Sequence, residues 1–332
     1  RVSRAVPRQG DLILAREAPA GNVAIVPPGI EVCLGQRTML LRPDSSFVVP
    51  EYLNYYLNAP EQRDRMLRLA NGATVSHINV ADIRNMPVQL PSRGEQSKVA
   101  ELLNVLDDKI DLNNRLNDYL EQLVDSKFQE LFGGLNFNAT LSDVAEITMG
   151  QSPAGSSYNE EGAGIIFYQG RGEFGWRFPK RRLYTTEPKR LACEGDVLMS
   201  VRAPVGDLNV AFENCCIGRG LAAIHSETPS FALYLMRFLK PQLEAYNGEG
   251  TVFGSINGKA LKSLEVALPS HNEVMQFESF AAPIDALIRS NENETRKLNN
   301  LRNYLLPKLM SGEIDVSKVD LTQLTNNHLA DC

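Results

Sequence analysis

Residues 195–211 read GDVLMSVRAPVGDLNVA and residues 10–26 read GDLILAREAPAGNVAIV, and the fold follows from their likeness. Gly10, Asp11, Ala18, Pro19 and Gly21 answer to Gly195, Asp196, Ala203, Pro204 and Gly206. Farther along, GATVSHINVADIRNMPVQLPS (72–92) aligns with GTVFGSINGKALKSLEVALPS (250–270). That alignment pairs Ile78-Asn79 with Ile256-Asn257 and Pro91-Ser92 with Pro269-Ser270, and its register runs on until Leu106-Asp107 meets Ile284-Asp285. A period of about 180 residues lies far beyond the roughly 20–50 of solenoid repeats. The chain is one unit written twice.

Each copy has two parts. In the first, the runs LILA, VAIV, VLMS and IIFYQ sit between Gly, Pro, Asn and Asp and predict short strands. Apolar residues at helical spacing predict short helices at 50–58 and 231–247. The second part predicts one long helix, over 95–132 and again over 273–311. Val99, Leu103, Leu106, Ile110, Asn113, Asn117, Leu120, Val124 and Leu131 fall on heptad a and d positions of the first. Phe277, Ala281, Ile284, Ile288, Asn291, Leu298, Leu305 and Leu309 do so in the second. Pro91 and Pro269 precede these helices, and Gly133 and Gly312 follow them as stop signals.

Asn113 and Asn291 occupy the same a position, where a buried amide gives up stability to fix register. The two helices are therefore expected to pack on each other with these residues near the crossing. The alternative is two independent amphipathic helices, each lying on its own domain. A helix over 95–132 would be about 57 Å long, enough to hold two modules apart.

The 332 residues carry a net charge of −6, with 43% apolar, 22% charged and 7% aromatic residues, a globular composition of two-domain size. No apolar run is long enough to span a membrane and no signal-peptide pattern opens the chain at Arg1. Five cysteines, Cys215 and Cys216 adjacent, suggest reduced thiols in a cytoplasm. The acidity is uneven. Nine acids stand against four bases over 95–133, whereas Arg171, Arg177, Lys180, Arg181, Arg182, Lys189 and Arg190 face only Glu173 and Glu187 over 171–190. Phe174, Trp176, Phe178 and Tyr184 interleave with those bases, a pattern suited to phosphates and bases, or else a solvated basic hairpin. Arg1, Arg4, Arg8 and Arg16 are a weaker version of the same signal.

Catalytic motifs fail. Gly170, Gly172 and Gly175 spell G-x-G-x-x-G, but WRFPKRRL follows with no helical periodicity to receive a pyrophosphate. No P-loop, H-E-x-x-H, C-x-x-C, methyltransferase or nuclease motif is present. Cys215-Cys216, with His225 the nearest histidine in sequence, reads as core or surface thiols, and His77 lacks an evident Ser or Asp partner. No cofactor, metal or catalytic residue is expected.

These residues resemble the specificity (S) subunit of type I restriction–modification systems. GIIFYQGRGEFGWRFPKRRLYTTEPKRLACEGDVLMSVRAPVGDLNVAFENCCIGRGLAAI is similar to a target-recognition domain, and LPSRGEQSKVAELLNVLDDKID to the family's central conserved helix. The second helix entry, LPSHNEVMQFESFAAPIDALI, keeps Leu-Pro and Glu273 but has Val274 in place of Gln96. The resemblance implies an α+β fold of two mixed α/β target-recognition domains joined by two long antiparallel coiled-coil helices. The expected segments are a first recognition domain over 1–92, a central helix over 93–134, a second recognition domain over 135–270, a C-terminal helix over 271–316 and a tail over 317–332. Each domain would read half of a bipartite site on double-stranded DNA, with the helices as a ruler for the spacer. The helices would also dock two modification subunits carrying the methyltransferase, and restriction subunits would join through the complex. The chain itself would be non-catalytic.

Base readers do not transfer within such a family, so candidates rest on chemistry: Arg171, Arg177, Lys180, Arg181 and Arg182, with Gln169 as an adenine reader. Arg202 and Arg219 in glycine-rich loops come second. Ser76, His77, Asn79, Ser255 and Asn257 are matched between copies and read better as fold turns. The first copy has nine residues before its Gly-Asp turn where the second has 54 from Leu141 to Glu194, so about 45 are missing, as in a fragment or a truncated gene product. Competing readings are a piece of a fused restriction–modification enzyme, or a scaffold that holds modification subunits without reading DNA.

Overall fold

The computed structural model describes residues 6–17, 19–70, 77–247 and 254–318; Arg1, Arg4, Ser76 and most of the tail lie outside them. Two compact units emerge, residues 1–115 with 292–332, and residues 116–291. Each therefore takes a share of both long helices.

In the first unit, β1 (Leu12–Ala15) pairs antiparallel with β2 (Val23–Ile25) and β3 (Thr38–Leu41) in the order β2-β1-β3. Left-handed Gly10 and Gly21, at φ +82° and +86°, make the turns on either side of β1. Leu12 and Leu14 are buried while Ile13 and Ala15 are only half-buried, so this sheet has one covered face. Helices α1 (Pro50–Asn58) and α2 (Pro60–Arg68) each start on a proline, whose fixed φ suits the first turn, and α3 (Val80–Arg84) follows. Their apolar faces close on residues 93–115 of α4 (Arg93–Phe132) and on the end of the C-terminal long helix: Tyr52, Met66, Ile78, Leu103 and Leu309 share one core. The two helix segments run antiparallel. Asn113 Nδ2 donates to Glu294 Oε2 at 2.8 Å and Arg302 Nη1 to Asp107 Oδ1 at 2.6 Å.

The second unit adds a layer. After β4 (Ala139–Thr140), α5 (Leu141–Val144), β5 (Glu146–Met149) and β6 (Tyr158–Asn159) come β7 (Ile165–Tyr168), β8 (Tyr184–Thr185) and β9 (Leu191–Ala192). Next are β10 (Val197–Ser200), β11 (Leu208–Val210), β12 (Cys215–Ile217) and β13 (Leu221–His225). Helices α6 (Pro229–Phe238), α7 (Lys240–Glu244) and α8 (Gly258–Lys262), strand β14 (Glu265–Val266) and α9 (His271–Met310) complete it. The helix expected over 231–247 breaks before Pro241, whose ring cannot sit in a helix interior. One sheet has the order β11-β10-β13-β5 and repeats the first unit's β2-β1-β3 with one strand added; the other has the order β6-β8-β7-β12-β9. Strand β10 is buried at every residue because both its faces are covered. Val197 and Met199 face the helices, and Leu198 packs with Ile166, Tyr168, Cys215 and Ile217 of the second sheet. Among the described residues the first unit has no counterpart of that second sheet, and its residues 26–37, equivalent to the β12 region, form no strand.

The duplication extends to single hydrogen bonds. Gly10 N–H donates to Val26 O at 3.0 Å and Gly195 N–H to Ala211 O at 2.9 Å; Ile78 N–H reaches Arg16 O and Ile256 N–H reaches Val201 O, both at 3.1 Å. Glu17 bridges His77 as Arg202 bridges Ser255. Each long helix opens on a capping box: Ser92 N–H donates to Glu95 at 2.9 Å and Ser270 N–H to Glu273 at 2.8 Å. The Gln96-to-Val274 departure has its own compensation. Gln96 Oε1 accepts from Val49 N–H at the start of α1, at 2.8 Å, while Glu278, one turn beyond Val274, accepts from Ser230 and Phe231 N–H at the start of α6. Burial nonetheless raises the Glu278 carboxyl above its ordinary pKa, against those donors.

The heptad expectation needs one correction. Leu131 is 41% exposed, and Phe128 and Phe132 are buried instead. After Val124 the buried positions step by four, because α4 there faces an aromatic cluster and no longer a single helix. Phe128 lies 5.3 Å from Phe277, and Phe132 lies 5.6 Å from Phe231, both edge to face. No helix among the described residues is long and apolar enough to cross a membrane.

Candidate nucleic-acid interface

Three chain reversals of the second unit build one concave surface. Strand β7 ends at Tyr168 and runs through Gln169 and Gly170 into a 3-10 turn, Arg171–Glu173, closed by Gly170 N–H donating to Glu173 Oε2 at 3.2 Å. The Gly170/Gly172/Gly175 pattern thus opens onto a single tight turn with no helix N-terminus behind it. The β12–β13 reversal, Gly218-Arg219-Gly220, docks on the same strand end: Gly218 N–H reaches Tyr168 O at 2.8 Å and Gly220 N–H reaches Gln169 O at 3.2 Å. A Cβ at Gly218 or Gly220 would stand 2.8 Å from the Gln169 carbonyl oxygen, so only glycine permits this approach. The third reversal, after β10, carries Arg202, whose carbonyl accepts from Ser200 Oγ at 2.8 Å.

Together these place Gln169, Arg171, Arg202 and Arg219 around one open concavity of about 570 Å³, with Ser152 and Ser200 also on its wall. All four candidate side chains are exposed. Arg171 is ion-paired with Asp207. Arg202 and Arg219 have no ion pair among the described residues. A planar donor fork that stays charged at any ordinary pH suits phosphate oxygens and the O6/N7 edge of guanine; a carboxamide suits adenine.

The basic stretch is not brought together as a whole. Lys180, Arg181 and Arg182 are exposed but lie off this concavity, with Arg181 held to Glu213 at 2.6 Å and Arg182 to Glu173 at 2.9 Å. Arg177 must be withdrawn from the candidate interface. It is 4% exposed and lies 3.2 Å from both Glu121 of α4 and Asp285 of α9, with Tyr234 Oη at 3.1 Å. Burial alone would lower its pKa, yet Tyr234, Asp285 and Glu121 hold it raised, so it stays charged as a fastener. Arg237 repeats the theme nearby, bidentate to Asp125 at 2.9 and 2.6 Å and bonded to Glu121 at 2.9 Å.

The matched loop residues act in the fold. Asn257 caps α8 by accepting from Ala260 N–H at 3.0 Å, Asn79 donates to Asp82 at the start of α3, and His77 and Ser255 form the equivalent bridges. Asn291 Nδ2 donates to Asn117 Oδ1 at 2.8 Å, the 178-residue counterpart of the Asn113–Thr295 contact. Two features escaped the sequence reading. Asp207, the partner of Arg171, stands where the first copy has Asn22, a difference visible in the alignment. Cys193, Asp196 and His225 converge at the start of β10, with ligating atoms within 4.8 Å of one another. Nothing in the sequence spacing joins Cys193 to His225; the pairing of β10 with β13 does.

Residues 3–122 and 138–303 match the family model of the type I restriction modification DNA specificity domain. A Methanocaldococcus jannaschii protein described as the MjaX type I restriction enzyme specificity subunit is 33% identical over 92% of this chain and 79% of its own length. The MjaIX specificity subunit of the same organism is 22% identical over 94% of this chain and 79% of its own. The crystal structure of a type I restriction–modification S subunit from M. genitalium superposes with a TM-score of 0.64 over 91% of this chain and 83% of that one; at 17% identity this likeness concerns the fold.

Proposed function

Because the chain belongs to the type I restriction–modification DNA specificity family, we propose that its second unit reads one half of a bipartite site on double-stranded DNA through the concavity of Gln169, Arg171, Arg202 and Arg219. The observation that carries this reading is the convergence of four exposed side chains, from three separate loops, on one surface. Phosphate contact positions a protein on DNA, and base-edge contact specifies the sequence. Lys180, Arg181 and Arg182 then serve as flanking phosphate contacts, where neutralising charge counts more than geometry.

Gel-shift binding across a randomised half-site, with the chain assembled on its modification subunits, tests this. Substituting a base reader, Arg202→Ala or Arg219→Ala, is expected to cost about 1–3 kcal/mol and relax preference at one position. Lys180→Ala is expected to weaken all sequences alike and reduce the salt dependence by about one ion. Binding unchanged by Arg202→Ala and Arg219→Ala together rejects this surface as the reader. Binding without any sequence preference in the unsubstituted chain favours a scaffold that does not read DNA.

The modification subunits are assigned to the exposed side of α4. Leu116, Tyr119 and Leu123, at 38%, 69% and 51% exposure, recur at helical spacing on it. Acidic neighbours such as Asp118 flank them. Such apolar anchors with a charged rim suit a protein partner. Restriction subunits join through that complex, and methylation, ATP hydrolysis and cleavage belong to those partners. The setting is cytoplasmic, in keeping with free thiols at Cys33, Cys193, Cys215 and Cys216.

A further inference from the structure

The buried aspartate before β1 and its counterpart before β10, Asp11 and Asp196, have different neighbours in the two units, and the difference is chemical. In the first unit Asp11 accepts from Arg8 N–H at 2.8 Å and from the Arg42 guanidinium at 2.9 and 2.7 Å. In the second, Asp196 accepts from Cys193 N–H at 2.8 Å and faces His225 Nδ1 at 2.6 Å. The positions correspond one to one. Arg42 directly follows Leu41, which pairs with Leu12; His225 directly follows Ile224, which pairs with Val197. Both neighbours of the aspartate have thus become metal-ligating types in the same copy, Arg8 to Cys193 and Arg42 to His225.

We propose that Cys193, Asp196 and His225 bind one divalent transition metal of the zinc class. A carboxylate this buried needs a counter-charge. The Arg42 guanidinium supplies one permanently to Asp11, whereas an imidazole supplies one only when protonated. A divalent ion restores it, and thiolate, imidazole and carboxylate are the donor set that such borderline ions take. The ligating atoms already lie within 4.8 Å of one another, against the spacing of about 3–4 Å in a four-coordinate zinc site. Cys193 and His225 are exposed and can close that gap by side-chain rotation, and the fourth position opens to solvent. Glu146, opposite His225 on β5, adds negative field. Binding releases the Cys193 thiol proton and any proton shared between His225 and Asp196, leaving thiolate, neutral imidazole and carboxylate on the ion. The ion ties the turn before β10 to the end of β13.

Cobalt(II) titration of the chelator-treated full chain tests this, because a thiolate–cobalt charge-transfer band in the near ultraviolet reports the sulfur ligand directly. One band-forming ion per chain is expected, displaced by zinc, and zinc alone is expected to raise the melting temperature. Cys193→Ser should abolish the band and His225→Gln should weaken binding at least about tenfold, since even outer-shell losses cost about 10–100-fold. His225→Arg, which installs the first unit's pairing and keeps the aspartate satisfied, should abolish cobalt binding in a folded chain. Cys33→Ser should change nothing. Absence of the band in the unsubstituted chain, or a band that survives Cys193→Ser or His225→Arg, overturns the assignment.

Discussion

Arg177 lies 3.2 Å from Asp285 across the junction between the basic segment and α9, with its guanidinium almost wholly buried. Removing one partner of a buried ion pair strands the other, which costs about 3–5 kcal/mol. Arg177→Leu is therefore expected to destabilise the second unit by about 3 kcal/mol in denaturant melts. Arg171→Gln, on an exposed pair, should change stability by less than about 1 kcal/mol while weakening DNA binding. Equal stability losses in the two variants contradict this division of roles.

Asn117 and Asn291 are buried and bonded to each other at 2.8 Å. Asn291→Leu removes that bond, a loss of about 0.5–1.5 kcal/mol. The Asn117→Leu/Asn291→Leu pair is expected to lose less than the sum of the two single changes, since the shared bond can be removed only once. Melts of the four chains form a double-mutant cycle, and strict additivity rules out the direct coupling.

Acid sensitivity of the first unit has a local source in Asp11. The Arg42 side chain, helped by Arg8 N–H, holds the Asp11 carboxyl below the ordinary carboxylate range against the opposing effect of burial. A lowered folded-state pKa gives stability that is present above the unfolded value and lost as pH falls through the folded one. Between about pH 5 and pH 1, Asp11→Asn is therefore expected to flatten the decline seen in the unsubstituted chain. An unchanged acid limb in unfolding curves disproves the linkage.

Gly220→Ala puts a methyl group 2.8 Å from the Gln169 carbonyl oxygen and displaces the strand end that presents Gln169. On the proposed reading, sequence preference in the randomised-site assay should relax at one position, with the rest of the profile intact. A profile identical to that of the unsubstituted chain shows that Gln169 reads nothing.

Tyr119→Ser combined with Leu123→Ser removes large apolar side chains that are already exposed. The expected outcome is weaker assembly with the modification subunit, by at least about tenfold for a 1.4 kcal/mol loss, without a fall in melting temperature. Analytical ultracentrifugation of the mixture measures it, and full assembly at unchanged affinity moves the docking surface elsewhere.

Most of the scaffold was legible in the sequence because its determinants are local or periodic. The Gly-Asp turns, the matched Leu-Pro-Ser helix entries and the asparagines at equal heptad positions each follow from spacing alone. Leu131 misled because heptad phase assumes a single helical neighbour, and the phenylalanine cluster supplies a different one. The interface was legible only in part. Charge marks Arg171 and Arg177 alike, but which of them meets Glu121 and Asp285 depends on contacts more than 50 residues away in sequence. Arg202 and Arg219 carry no local signal beyond their glycine-rich loops and stand beside Gln169 only because three distant loops converge.

The two faces of β10 divide the second unit's chemistry between separate apolar clusters, one under the helices and one under the five-stranded sheet. Mutational drift in residues 150–193 can therefore remodel what the sheet presents while the capping boxes, the asparagine ladder and the helical core stay fixed. Arg177, buried against Glu121 and Asp285, is a contact that such drift must keep. A layout of this kind lets the surface over the five-stranded sheet change separately from the helical faces on the other side of β10.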